Sequence, residues 1–249
     1  MTPGSAAGPG RPEAAPERRQ APRPLAVTFD FGQTLADLDT VYLSRRLLER
    51  GHQVAPAALE LALPRAWAAY NAGIQRGQGG HPWQTLMREL LSGAGASEEA
   101  CQDAVPWLRS EQPRHNLWRR PVPGMIELIK SLTVPIGIIS NSEGRLEELA
   151  VELGWRPLFA AFADSGRLGI EKPDARIFDW TCARLGVPKE RVIHVGDSLP
   201  ADVRGAVDAG FHSAIWFRGQ HDGDRFLAAR DASQVGEILR ASYCTTTSS

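Results

Sequence analysis

The stretch Val192-Ile-His-Val-Gly-Asp-Ser-Leu-Pro-Ala-Asp-Val203 decides how this chain is read. A short apolar run ends in Gly196, and two carboxylates, Asp197 and Asp202, follow across a strand-to-helix turn. In an open α/β sheet the ligand site lies outside the carboxyl ends of parallel strands. Two acids placed together repel unless a cation or a lysine lies between them. Lys172, in Gly169-Ile-Glu-Lys-Pro-Asp174, offers the lysine. A third acid, Asp30, closes another apolar run, Leu25-Ala-Val-Thr-Phe-Asp30, and a small-residue turn with Thr34 follows. Three acids and one lysine at strand ends imply a phosphate site assisted by Mg²⁺.

Outward from this stretch the chain alternates strand and helix. Val134-Pro-Ile-Gly-Ile-Ile-Ser140 is a continuous apolar run, as a strand covered on both faces requires. Leu146, Leu149, Ala150 and Leu153 follow at helical spacing, and Gly154 stops them. Residues 159–163 read as a short strand. Asp174 is placed to cap a helix over 175–185, which Gly186 ends. A strand at 192–195, a helix at 201–209 and a strand at 213–217 complete the pattern. Repeated strand–helix units imply a doubly wound parallel α/β sheet with helices on both sides.

Residues 37–120 break that rhythm. Helical patterns at 41–50 and 57–70 are punctuated by Gly51, a glycine-rich break at 73–80, Pro106 and Pro113. An insertion of this size after the first strand's turn reads as an α-helical cap domain over the site, the alternative being a helical layer on one sheet face. Five of the seven tryptophans lie between Trp67 and Trp155, placed for helix packing, with one or two available for a pocket wall. The core then comprises residues 25–36 and 121–240. Residues 1–24, rich in Pro, Ala, Gly and Arg without an apolar block, read as a disordered extension rather than a secretory signal. Residues 241–249 read as a flexible tail.

With 249 residues, 43% of them hydrophobic and 23% charged, the chain can bury one core and a smaller satellite. A net charge of -1, with only short arginine pairs at Arg18-Arg19 and Arg119-Arg120, gives no reason to expect nucleic-acid binding. No apolar run has the length needed to span a bilayer. Cys101, Cys182 and Cys244 lack metal-ligand spacing and read as reduced thiols of a cytoplasmic protein. A monomer and a homodimer fit equally. His52, His81 and His194 have no partner by spacing and read as packing or surface residues, His81 also as a remote substrate contact. Asp37 and Asp39 read as hinge or helix-cap residues.

Four segments carry a family pattern in order: Asp30-Phe-Gly-Gln-Thr34, Ser140-Asn141, Lys172-Pro173, and Gly196-Asp197-Ser198 with Asp202. Val122-Pro-Gly124 and Gly205-Ala206…Ala209-Gly210 flank them suitably. Over residues 25–239 the chain resembles the haloacid dehalogenase-like hydrolase superfamily, specifically members with a helical cap after the first motif. The resemblance implies that Asp30 attacks phosphorus to form an aspartyl-phosphate. It implies Mg²⁺ held by Asp30, the Gly32 carbonyl and Asp197, with Asp202 close by. It gives Lys172 to the phosphoryl oxygens and an acidic partner, and Ser140 with the Asn141 N–H to another phosphoryl oxygen. Thr34 fixes the turn, and the substrate is a small phosphorylated metabolite. Taken singly, each has an ordinary reading: turn chemistry for Ser140-Asn141, a surface residue for Lys172, helix caps for Asp197 and Asp202. Asp30 resists one, because an acid ending an apolar strand needs compensation.

One position departs from the pattern. Phosphatases of the family carry a second aspartate two residues after the nucleophile, and this chain has Gly32. That aspartate protonates the leaving oxygen and then activates water, help worth about 10²–10⁴ in rate. The metal ligand there is a backbone carbonyl, which glycine keeps. Without the acid, cleavage should depend steeply on the leaving group and the aspartyl-phosphate should hydrolyse slowly. Glycine also suggests a positive φ that aspartate tolerates poorly. If another residue supplies the proton, acids of the insertion such as Glu49, Glu60 and Glu89 come first. Three readings follow: a slow or specialised phosphatase, a phosphate- and metal-binding regulatory protein with little turnover, and a 2-haloacid dehalogenase. Dehalogenating relatives also lack the second aspartate, but they need no Mg²⁺ and lack an acidic motif like Gly196-Asp197-Ser198. A phosphonate-cleaving relative has a small residue there too, but it needs a cap lysine, and residues 37–120 contain none.

Overall fold

The structure, a computed structural model, describes residues 24–75 and 82–243. β1 (Ala26–Phe29) leads through a turn to β2 (Ala36–Leu38). Four helices follow: α1 (Thr40–Glu49), α2 (Pro56–Gln75), α3 (Trp83–Gly93) and α4 (Glu98–Glu111). β3 (Trp118–Pro121) returns the chain to α5 (Met125–Ser131), β4 (Ile136–Ser140), α6 (Leu146–Glu152), β5 (Ala161–Asp164) and α7 (Ser165–Leu168). α8 (Ala175–Leu185) and β6 (Val192–Gly196) precede the short α9 (Gly205–Asp208). β7 (Ser213–Phe217), β8 (Phe226–Ala229) and α10 (Ala232–Tyr243) end the described chain.

Six strands form a parallel sheet in the order β5-β4-β1-β6-β7-β8. The chain lays β4 and β5 on one side of β1, then β6, β7 and β8 on the other. The order therefore reverses at β1, and the crevice of such a sheet opens at the carboxyl ends of β1 and its neighbours. Successive side chains point to opposite faces. Val27, Phe29, Ile138, Ile193 and Val195 pack with Ile129 of α5, Leu149 of α6 and Val235 of α10. Ala26, Ile139 and Val192 face the other way, against Phe178 of α8 and Ala206 of α9. The sheet is doubly wound, as the alternation implied.

α8 has its expected bounds because both ends are chemically marked. The Asp174 carboxylate accepts from Arg176 N at 3.0 Å, and Gly186 leaves the helix at φ 69°. The helix expected over 201–209 is different: Leu199–Arg204 is a π-helical turn, and α9 begins only afterwards. The Asp202 carboxylate takes the Ser198 N–H at 2.9 Å, and the widened turn lets that side chain reach back toward β6. α2 runs to Gln75, past the expected break at 73, and α10 extends to Tyr243, into the supposed tail. Residues 1–23, His81 and Cys244 lie outside the described residues.

The boundaries of the insertion are strands rather than plain loops. β2 and β3 pair antiparallel, Ala36 opposite Pro121 and Asp37 opposite Arg120, with an irregularity between Asp37 and Leu38. α1–α4 hang from this ribbon. Their apolar residues, including Leu43, Leu59, Leu86 and Leu108, join the core cluster through Leu35, Leu38 and Trp118. Among the described residues no helix is long and apolar enough to cross a membrane.

Candidate active site

Register assembles the site. Phe29 pairs with Val195 on one side and Ile138 on the other, so Asp30, Gly196-Asp197 and Ser140-Asn141 emerge around one point. Asp30 N–H donates to Val195 O at 2.8 Å, which continues the β1–β6 ladder into the turn.

Lys172 is the hub. Its Nζ donates to Asp30 Oδ1 at 2.6 Å, Asp202 Oδ1 at 2.5 Å and Ile139 O at 2.7 Å, which uses all three ammonium protons. The Asn141 side chain clasps the Lys172 backbone, accepting from its N–H at 2.8 Å and donating to its carbonyl at 3.1 Å. That side chain therefore braces the lysine rather than facing a substrate. Asp202 is fully engaged as well: Oδ2 accepts from Ser198 N, and Oδ1 lies 3.3 Å from His194 Nε2. An ionised carboxylate cannot donate, so Nε2 carries the proton and Nδ1 accepts from the Thr28 hydroxyl at 2.9 Å. His194 thus has two partners, on β1 and after β6, which spacing along one strand could not reveal. His52 likewise meets Asp103 at 2.7 Å.

The charges do not balance locally. Burial raises Asp30 and Lys172 opposes it, leaving the carboxyl at about 6. Burial also pushes Asp202 up, but Lys172 and His194 pull harder and hold it below the usual carboxylate range. Burial works against the Lys172 ammonium, yet Asp202 and Asp30 lift it above its ordinary value. Burial keeps His194 below its ordinary value, hence neutral. Asp197 is raised well above the normal range by burial, then by Asp30 and Asp202. Its contact with the Thr34 hydroxyl is long, at 3.5 Å. One oxygen each of Asp30, Asp197 and Asp202 lies within 4.8 Å of the others, a group that could hold a metal ion. The donors are hard oxygens and one negative charge exceeds what Lys172 offsets, which fits Mg²⁺. With Asp202 engaged at both oxygens, Asp30 and Asp197 are the acids left to ligate directly.

Over this floor lies a cavity of about 130 Å³, walled by Trp67 of α2, Trp118 of β3, Gln112 and Asn116. Ligand pockets usually enclose some 300–1,000 Å³, so this one suits a phosphoryl group rather than a whole metabolite. A neighbouring cavity of about 660 Å³ shares Gln33, Trp67, Asp197 and Ser198 and adds Tyr70, Trp216 and Arg218. Ser140 is buried at the end of β4 and, like Thr34, is absent from the wall of the smaller cavity, whereas Ser142 is present. The Ser142 hydroxyl oxygen is buried without a hydrogen-bond partner.

Gly32 does not have the positive φ expected of it; the left-handed residue of that turn is Gln33, at 58°. A Cβ on Gly32 would meet Trp118 Cδ1 at 3.4 Å, an ordinary contact. The insertion's acids do not replace the missing aspartate. Glu49 pairs with Arg46, Glu60 with Arg120 at 2.5 Å and Glu89 with Arg65 at 3.6 Å, and none lines the cavity. Glu143 does line it, a residue that no sequence pattern marked. Asp39 caps α1 through Tyr42 N at 2.8 Å, as expected. Asp37, at the ribbon, is held by both Arg218 Nη atoms at 2.8 and 3.0 Å.

Known proteins match this geometry. The chain is 38% identical over 209 residues to the glyceraldehyde 3-phosphate phosphatase of Methanopyrus kandleri, covering 79% of this chain and 85% of that protein. It is 32% identical over 105 residues to the pyrimidine 5′-nucleotidase YjjG of Escherichia coli strain K12, where the match spans 41% of this chain and less than half of the relative, 46%. In fold it is similar to YfnB of Bacillus subtilis, a putative HAD-hydrolase bound to magnesium, with a TM-score of 0.64 and 19% identity over 88% of this chain and 99% of that one. The family model for haloacid dehalogenase-like hydrolases matches residues 24–210, and the chain belongs to that family.

Proposed function

We propose that this hydrolase is a Mg²⁺-dependent phosphatase of a small phosphorylated metabolite, working through an aspartyl-phosphate on Asp30. The observation that carries this reading is Lys172, locked between Asp30 and Asp202, beside an uncompensated Asp197. Lys172 fixes the rotation of the Asp30 carboxylate through Oδ1, and at neutral pH a group near 6 is mostly ionised and able to attack phosphorus. Asp30, Asp197 and the Gly32 carbonyl would hold Mg²⁺, which when bound neutralises phosphoryl charge. Lys172, Ser140 and the N–H of Asn141 would steady the phosphoryl oxygens as the bond to the leaving group breaks. Water then attacks the aspartyl-phosphate, releasing phosphate and restoring Asp30.

The likeness to a glyceraldehyde 3-phosphate phosphatase supports phosphate esters as substrates. The two adjoining cavities leave room for the group beyond the phosphate. Buried free Cys101 and Cys182 suit a reducing, cytoplasmic setting. Against dehalogenation stands the three-acid cluster, which that chemistry does not need. The absence of an acid at Gly32 favours, as the second reading, a binding protein with little turnover. A screen of phosphate esters with and without Mg²⁺, with Asp30→Asn as control, decides: Mg²⁺-dependent phosphate release that the variant lacks supports the phosphatase, and binding without release supports the alternative.

A further inference from the structure

The turn after Asp30 lacks the carboxyl that would handle the leaving group's proton, yet the cavity above Asp30 does contain one. Glu143 lines the same cavity of about 130 Å³ as Asp30, Lys172 and Asp197. It comes from the loop after β4, across the cavity from Trp118, which packs beside Gly32. In a space this small, a phosphoryl group on Asp30 brings its leaving oxygen toward the wall opposite the nucleophile.

The loop is built to hold Glu143 still. Asp164, at the end of β5, accepts from Gly144 N at 2.9 Å, Leu146 N at 2.9 Å and Gly166 N at 3.0 Å. Ser142 and Ser165 bond reciprocally, Ser142 N to Ser165 Oγ at 3.0 Å and Ser165 Oγ to Ser142 O at 3.2 Å. A Cβ on Gly166 would fall 2.5 Å from Gly144 N, so only glycine permits this approach. Reacting groups need support of this kind to stay in productive geometry. Arg109, on α4 of the insertion, reaches Glu143 at 3.0 Å. The carboxyl therefore sits where the insertion meets the core, beside the buried, unpartnered Ser142 hydroxyl.

We infer that Glu143 is the general acid and base of the reaction, standing in for the carboxyl absent at Gly32. This rests on the phosphatase reading of the site. In the first step an Asp30 oxygen bonds to phosphorus, the ester P–O bond breaks, and the Glu143 proton passes to the leaving oxygen. In the second, Glu143 takes a proton from water as its oxygen attacks phosphorus; the P–O bond to Asp30 breaks, phosphate leaves, and Glu143 is protonated again. Burial raises the Glu143 carboxyl, Arg109 pulls it down, and Asp164 adds to the rise, with a net shift upward. Arg167, bonded to the neighbouring Gly144 carbonyl at 3.3 Å, is the other charge nearby. A raised carboxyl is the form able to donate near neutral pH.

The test compares glycerol 3-phosphate, whose alcohol leaves poorly, with 4-nitrophenyl phosphate, whose phenol leaves unaided. The proteins are wild type, Glu143→Gln, Glu143→Gln with Gly32→Asp, and Asp30→Asn, all with Mg²⁺. Glu143→Gln should cut kcat on glycerol 3-phosphate by about 10²–10⁴, with KM little changed. On 4-nitrophenyl phosphate it should produce a burst of phenol and then a slow steady state, which wild type lacks. The limb of the pH profile where rate falls as Glu143 loses its proton should vanish. Adding Gly32→Asp should restore turnover of the alkyl ester, which loss of folding could not explain. Wild-type turnover with equal effects of Glu143→Gln on both esters, or no rescue by Gly32→Asp in a variant that melts like wild type, overturns the role of Glu143 and leaves the phosphatase standing. No Asp30-dependent release from either ester in wild type overturns both.

Discussion

Gly196 and Asp202 approach so closely that a Cβ on the glycine would lie 2.3 Å from the aspartate's carboxyl carbon. The end of β6 is bare so that the carboxylate holding Lys172 can fold back across it. Gly196→Ala should cost about 1–3 kcal/mol through overpacking. It should also displace Lys172, so the urea midpoint and the Mg²⁺-induced rise in Tm should fall together. Loss of stability with an intact Mg²⁺ response would show that the two acids act independently.

Mg²⁺ should stabilise the protein, because it relieves the crowding of Asp197 against Asp30 and Asp202. At about 100 times the dissociation constant the gain should be roughly 2.7 kcal/mol. Asp197→Asn should raise the Tm of the metal-free protein and abolish most of the Mg²⁺ response. An unchanged response in calorimetry would place the metal elsewhere.

The same crowding sets a pH dependence. Asp30 moves from 3.8 to about 6 on folding, and Asp197 also moves upward. Between those values the folded state binds more protons than the unfolded one, so metal-free stability should fall as pH rises from about 4 through 6. Asp202, shifted the other way, contributes stability that is lost only in stronger acid. Thermal melts should therefore show a larger Mg²⁺ shift at about pH 8 than at about pH 5, because protons compete with the metal. Asp30→Asn should flatten the slope, and a slope unchanged in that variant would assign it to other groups.

Thr28→Val tests the line Thr28–His194–Asp202. It leaves His194 Nδ1 buried without a donor, which should cost about 1–3 kcal/mol. Mg²⁺ affinity should weaken modestly through the loosened Asp202. A variant as stable as wild type in urea would mean that the ring had turned or changed its proton.

The insertion should move as a unit over the site, hinged at the β2–β3 ribbon. Arg218 ties the core to that ribbon through Asp37 and through Gln33 O at 3.2 Å. Hydrogen exchange should slow at the ribbon when vanadate and Mg²⁺ are added, and Arg218→Ala should speed it in the free protein. Uniform exchange across the chain would describe a fixed helical layer instead.

What the sequence disclosed followed from local chemistry. α8 and β7 have the bounds expected of them because a cap, a terminal glycine and an apolar run lie within the elements themselves. Asp30, Lys172, Asp197 and Asp202 could be picked out because each ends a recognisable segment, and the structure brings the four together. The β2–β3 ribbon escaped because its strands are 3 and 4 residues long and lie on either side of the inserted helices. The π-helical turn escaped because Asp202 reshapes it only when bonded to Ser198 N. His194 and Glu143 escaped for the same reason: their partners, Thr28 and Arg109, lie on other elements.

The nucleophile and its lysine lie 142 positions apart, and Thr28 and His194 lie 166 apart. During synthesis Asp30 leaves the ribosome among the first ordered residues, while Lys172, His194 and Asp202 follow only near the end. Because β1 sits mid-sheet between strands made much later, the amino-terminal portion cannot settle on its own. Pairings this distant close slowly, since the intervening loop must be ordered before the contacts reward it. Until β6 arrives, β1 has bare edges and an apolar face, a species prone to association. The reactive centre and the last stage of folding are thus the same event, and a truncated chain that has lost β6 would carry its nucleophile with nothing to aim it.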